Sequence, residues 1–89
     1  MTADPDCRPA ARRLFLVDAA DETDALLRLL NLFAIRQVRV VKLEMTPTAD
    51  GLGIRLETDP MSEAGAGQLA SKLSTLPGIR GVGLGWLGG

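Results

Sequence analysis

Within twenty residues the apolar pattern of this chain changes its period. Across Leu26–Met45, LLRLLNLFAIRQVRVVKLEM, apolar residues first recur at helical spacing and then give way to a β-branched, alternating run. Only a few residues separate the two patterns, so a helix must turn almost directly into a strand. Such a unit can bury its apolar helix stripe only against a sheet that its own following strand helps to build.

The segments on either side supply that sheet. RRLFLVDA, residues Arg12–Ala19, reads as a first strand, with Leu14 and Leu16 on one face and Phe15 and Val17 on the other. A strand covered on one face only should alternate, so this one is expected to be covered on both, in so short a chain by a second subunit. Asp21, Glu22, Thr23 and Asp24 open the first helix, with Asp21 or Thr23 as cap and the carboxylates favoured by the helix dipole. Leu26, Leu29, Leu30 and Phe33 form its core stripe. Leu27, Leu32, Ala34 and Ile35 widen the apolar surface and leave a narrow polar strip of Asp24, Arg28 and Asn31, a second sign of a subunit contact. Phe15, Val17, Leu27 and Val40 are the expected interface residues.

A second strand is expected over residues 38–46, where Val41, Leu43 and Met45 alternate with Lys42 and Glu44. The cluster TPTADG then turns the chain, with Asp50-Gly51 as hairpin signal. The third strand, residues 52–58, places Leu52, Ile54 and Leu56 on one face. Asp59 as cap and Pro60 as first helical residue start a second helix, whose buried stripe is Ala66, Leu69, Ala70, Leu73 and Leu76. Gly65 and Gly67 each weaken its first turns by about 1 kcal/mol relative to alanine. Pro77-Gly78 ends it. In the last strand, residues 79–87, Val82, Leu84 and Trp86 share one face, while Gly81, Gly83 and Gly85 leave the other bare. Those glycines suit close packing inside the fold or a bare face kept for a partner. Trp86 is expected in core or interface, with an acceptor for its indole N–H.

The order βαββαβ with right-handed crossovers predicts an α+β, ferredoxin-like sandwich: an antiparallel sheet ordered 4-1-3-2 with both helices on one face. The domain is expected over residues 12–87, preceded by a loose arm over residues 1–11 that carries Pro5 and Pro9. The roughly 75 residues beyond the arm make a small core, of modest stability without a partner.

Composition narrows the chemistry. The 46% hydrophobic and 24% charged residues are globular values. Net charge is −1 with no basic block, which argues against nucleic acid as a partner. No histidine is present, which removes imidazole acid–base chemistry and most zinc sites. The one cysteine, Cys7, stands in the arm without a base to activate it. Four carboxylates at one helix start, Asp18, Asp21, Glu22 and Asp24, are read as dipole partners and caps rather than magnesium or calcium ligands. Arg12 and Arg13 are read as a solvated strand entrance. No metal, cofactor or catalytic set is expected, and the lack of an apolar leader or spanning run predicts a cytoplasmic protein without membrane contact.

The stretch VDAADETDALLRLLNLFAIRQVRVVKLEM is similar to the first half of an ACT domain, most of all to that of the small, regulatory subunit of acetolactate (acetohydroxyacid) synthase. There a helix reading roughly G-x-L-x-R-V-x-x-L-F-x-x-R-G leads into the second strand, and Leu26, Arg28, Leu32, Phe33 and Arg36 fall on that pattern. LSTLPGIRGV, residues 73–82, is similar to the later helix-to-strand turn of the same family, so the likeness runs from Arg13 to Trp86. It implies a non-catalytic homo-oligomer, in the simplest case a dimer, that docks on a thiamine-diphosphate-dependent catalytic subunit and answers to an amino-acid effector. The alternative is a free-standing ACT sensor of a small molecule. The implied effector-binding positions are Asp21, Thr23, Asp24, Ala25 and Arg39. Several depart from the family: Asp24 stands for a glycine, Arg39 for an asparagine, Gln37 for the glycine after the helical arginine, and Asp21 for a turn amide. Only Ala25 keeps a small side chain. An effector carboxylate would meet backbone N–H groups at that helix start. The acidic crowd there opposes it, so a branched-chain amino acid is expected to bind weakly or not at all. Acylphosphatases share the architecture alone. They need an arginine in a glycine-rich loop after the first strand, where this chain has the acidic DAADET.

Overall fold

Four antiparallel strands and two helices make up the computed structural model, which describes residues 12–87. The expected arm and Cys7 lie outside the described residues. In chain order the elements are β1 (Arg12–Ala19), α1 (Thr23–Ile35), β2 (Val40–Thr48), β3 (Gly51–Thr58), α2 (Glu63–Leu73) and β4 (Ile79–Leu87). The sheet runs β2-β3-β1-β4, the predicted order, with β2 and β4 at the edges. Strand β1 pairs with both β3 and β4, opposing Phe15 to Leu56 and to Leu84.

That register aligns one apolar face. Phe15, Val17 and Ala19 of β1 and Ile54 and Leu56 of β3 meet Leu29 and Phe33 of α1 and Ala66, Leu69 and Leu73 of α2. At its centre the rings of Phe15 and Phe33 pack edge to face at 5.2 Å and 83°, an arrangement favoured by the ring quadrupoles. Phe15 and Val17, expected at a subunit interface, are instead core residues with 0% and 3% exposure. The cover that their face demanded comes from the chain's own helices. Leu16, on the opposite face, stays 48% exposed.

Helix α1 begins after Glu22, which adopts extended backbone but offers no side-chain cap, so neither Asp21 nor Thr23 caps it. Its C-terminus closes more tightly. The Gln37 amide donates to Ala34 O (2.9 Å) and the Val38 amide to Phe33 O (2.9 Å). This paired closure requires a left-handed residue between helix and strand, and Gln37 has φ +58°. Because the Val38 amide serves the helix, β2 starts two residues later than expected. It then continues through Pro47, tolerable because the strand is an edge.

Helix α2 starts at Glu63 rather than at Pro60, because Ser62 provides the cap: the Gly65 amide donates to Ser62 Oγ (2.9 Å). The displaced segment is held from below. Arg13 Nη2 donates to Met61 O (3.3 Å) and pairs with Glu63 (3.1 Å), and its guanidinium lies 3.7 Å from the Trp86 ring centre. Trp86 Nε1 donates to Glu63 Oε2 (3.2 Å), so the indole has its expected acceptor at a half-exposed corner rather than in the core. Arg13 is therefore a buried bracket between β1, β4 and α2 and not part of a solvated entrance.

Candidate functional site: the first turn and the open sheet face

Two regions bear on ligand binding. The first is the turn from β1 into α1, where the effector positions were expected. Ala20 N–H donates to Gly78 O (2.7 Å), tying this turn to the loop before β4. Gly78 has φ +87°, and a Cβ there would stand 3.1 Å from the Ala25 methyl. Ala25 is fully buried, and its amide donates to Glu22 O (3.1 Å). Asp21, Thr23 and Asp24 are exposed around this seam, with Asp24 3.9 Å from Arg28. Arg39 is not among them. Its carbonyl accepts from the Asp59 amide beyond the far end of β3, whereas Asp21 follows Ala19, which opposes Leu52 at the near end. A strand of this length separates them by about 20 Å. Within one chain the five expected effector positions do not converge, because α1 carries the backbone away from its own N-terminus before β2 begins. Among the described residues no group of acidic side chains is arranged to hold a metal ion.

The second region is the sheet face opposite the helices. Registers arrange it in cross-strand rows. Lys42, Glu57, Leu14 and Gly85 form one row, Glu44, Arg55, Leu16 and Gly83 the next, and Thr46, Gly53, Asp18 and Gly81 the third. The β2–β3 half of the first two rows is a charge ladder. Glu57 accepts from Arg12 (3.0 Å) and Arg55 (3.4 Å), Arg55 also lies 3.8 Å from Glu44, and Lys42 lies 3.6 Å from Glu44. Burial pushes the Glu57 carboxyl up, but the Arg12 hydrogen bond, the Lys42 charge and the contacts of Arg55 together outweigh it and hold it below the ordinary value. At the helix-side corner, the hydrogen bond from Trp86, reinforced by Arg13, likewise lowers Glu63.

The third row has no such ladder. Together with Leu16, Arg55 and Gly83 it bounds a hollow of about 490 Å³, within the range of ligand sites. Sequence reading marked the bare glycines of β4 but did not find the hollow. The missing signal was register, which alone reveals that Gly53 and Gly81 flank the same residue.

The comparisons with known proteins follow this geometry. A family described as an ACT-like domain matches residues 8–85. The chain belongs to that family. ACT domains are regulatory, ligand-binding modules, which is the coarse reading of the present domain. No curated protein matches it. Among solved structures it is similar to the ACT domain of GTP pyrophosphokinase from Chlorobium tepidum, at 11% identity and TM-score 0.68, over 84% of this chain and 96% of that one. The C-terminal domain of MgtC from Mycobacterium tuberculosis aligns at 18% identity and TM-score 0.63, over 92% and 90%. An uncharacterized protein of Thermotoga maritima aligns at 19% identity and TM-score 0.63, over 88% and 96%. Identities this low establish the shared ACT fold alone. Among the described residues no helix is long and apolar enough to cross a membrane.

Proposed function

We propose that this ACT domain is a non-catalytic regulatory subunit of acetolactate synthase type. It self-associates and docks on a thiamine-diphosphate-dependent catalytic subunit, tuning it in branched-chain amino acid biosynthesis. The observation that supports this reading best is the apolar surface left uncovered on α1 and the edge strand β2. Leu27 and Ile35 are 59% and 68% exposed, and Leu43 and Met45 are also exposed. Large apolar side chains left exposed on both elements are what a protein contact would cover. Of the four expected interface residues Leu27 is the exposed one, Val40 is partly buried against the core, and Phe15 and Val17 are core residues. The left-handed Gln37 adds support, since it occupies the place of the family's glycine. An effector site that used both Arg39 and the Asp21–Ala25 turn would need two chains.

The test is a tagged pull-down from the native lysate with mass spectrometry, beside light scattering on the purified chain. A dimer and a co-purifying thiamine-diphosphate enzyme are expected. A monomer at high concentration with no such enzyme recovered refutes the proposal. The second reading, a free-standing sensor, is favoured by the hollow on the open sheet face, and a small molecule retained through purification in native mass spectrometry would select it.

A further inference from the structure

One residue assigns the outward backbone of the edge strand β2. In an antiparallel ladder, alternate residues turn both N–H and C=O towards the same neighbour. Pro47 lies opposite Leu52 and has no N–H to give, so these two form a pair without hydrogen bonds, and Thr46, Glu44 and Lys42 exchange bonds with β3. Leu43 and Met45 therefore turn their backbone groups outward, away from the sheet. Their side chains share the helix face with Leu56 and Ile54, yet stay 38% and 48% exposed. Lys42 and Glu44, both half-exposed, stand on the open face 3.6 Å apart. An edge with free N–H and C=O groups beside half-covered apolar side chains is a template for another strand.

Charge decides which strand fits it. Lys42 and Glu44 flank Leu43 symmetrically, so the segment complements itself when read backwards. If a second copy of β2 pairs antiparallel about a two-fold axis at Leu43, Leu43 faces Leu43, Lys42 faces Glu44 and Val41 faces Met45. Opposite charges directly across a sheet attract, and like charges repel. The charge ladder of the open face then runs on through the axis with alternating sign, from Glu57 and Lys42 of one chain to Glu44 and Arg55 of the other. On the helix face Leu43 and Met45 gain apolar neighbours that the single chain does not give them. We infer that two copies of this chain join their four-stranded sheets edge to edge through β2 in this register. The pairing rests on the self-association proposed above and gives it a geometry.

The neighbouring registers each carry a fault. Moving the axis by one residue sets Lys42 against Lys42 or Glu44 against Glu44. Moving it to Met45 sets Pro47, which has no N–H, against the outward backbone of Leu43. Moving it to Val41 sets Met45 against Gln37, outside the strand, and Lys42 against Val40. With the axis at Leu43, Pro47 falls opposite Arg39, one residue before β2 begins, and interrupts nothing. Lysine and proline commonly protect an edge from pairing. Here they obstruct the wrong registers and leave one open. The other edge strand, β4, has no such code, since its single charged residue is Arg80.

The experiment is cysteine cross-linking of the full chain, with the monomer–dimer equilibrium measured by sedimentation. In a Cys7→Ser background, Leu43→Cys should form a disulfide-linked dimer on mild oxidation, because residues facing each other at the axis lie about 5.5 Å apart at Cα, within disulfide range. Met45→Cys should not, because its two copies are offset by four positions, about 14 Å. Lys42→Glu and Glu44→Lys should each weaken the dimer by about tenfold or more, and mixing the two should restore it as a heterodimer in which every facing pair is opposite in sign. Circular dichroism checks that each variant is folded, and the cysteine pair decides the matter if a charge reversal unfolds the chain. The inference is overturned by a parent chain still monomeric at about 1 mM. Cross-linking at Met45 as good as at Leu43, or folded charge variants that associate no better mixed than alone, overturns it as well. So does an intramolecular bond from Cys7 to position 43 in a Leu43→Cys chain that keeps Cys7, which would make residues 1–11 the occupant of the edge. The pull-down reports on the catalytic partner and these variants on the pairing, so the two readings fail separately.

Discussion

Replacing Gln37 by glycine should stabilise the domain. Gln37 holds φ +58° because the double closure of α1, Gln37 N–H to Ala34 O and Val38 N–H to Phe33 O, admits no other backbone conformation at that place. For a residue with a Cβ the left-handed region costs about 1–2 kcal/mol. Glycine removes that cost but returns about 0.5–1 kcal/mol through its freer unfolded chain. The side chain of Gln37 is exposed and makes no hydrogen bond among the described residues, so nothing else is lost. The net gain is about 0.5–1 kcal/mol, which for a domain of this size raises Tm by roughly 2–8 °C. Circular dichroism melts and urea titrations of the wild type, Gln37→Gly and Gln37→Val measure it. Valine, β-branched and poorly tolerated at positive φ, should lower stability by at least about 1 kcal/mol. A glycine variant no more stable than the parent, with valine no worse than glutamine, would refute the reasoning.

Gly78 presents the opposite case. Gly78→Ala combines a left-handed φ with a Cβ 3.1 Å from Ala25, and should cost about 1–3 kcal/mol in urea unfolding. In α2, Gly67→Ala meets open space and should gain about 1 kcal/mol, whereas Gly65→Ala should gain less because its Cβ comes 3.1 Å from Ser62 Oγ, the helix cap. Paired thermal melts separate the two. Glu57 and Glu63 have pKa values lowered in the folded state, so their contribution is fully present above the ordinary carboxylate range and is lost as pH falls through the folded values. Unfolding free energy measured from pH 7 down to acid should therefore decline, and a Glu57→Gln, Glu63→Gln double variant should decline less steeply.

Element order and sheet order were legible in the sequence because period and turn chemistry agree along the whole chain. The helical stripe of α1 gives way to alternation across Arg36–Arg39, and Asp50-Gly51 turns β2 into β3. Gly51 must in fact be glycine, since a Cβ there would collide with Ala19 O. The start of α2 was misread because two cap signals lie three residues apart, and the choice of Ser62 over Asp59 accompanies a long-range hold by Arg13 on Met61. Arginine burial is equally invisible locally: Arg12 and Arg13 are neighbours, yet only the second faces Trp86 and Glu63. The effector turn was located, but its separation from Arg39 depends on which end of the sheet each strand enters. The hollow required knowing that Asp18 lies between two glycines from strands far apart in sequence.

Trp86 makes the corner held by Arg13 a built-in optical gauge. The chain has one tryptophan and no tyrosine, so its near-ultraviolet emission comes from a single place. There the indole is stacked by a guanidinium and hydrogen-bonded to Glu63 in the first turn of α2. Gly65 and Gly67 make that turn the easiest part of the helix to release, and its release would alter the emission before the sheet opens. Fluorescence that changes ahead of circular dichroism would thus time the undocking of one helix end. A protein laid along β4 would shift the same signal, because Trp86 is half-exposed on that edge strand.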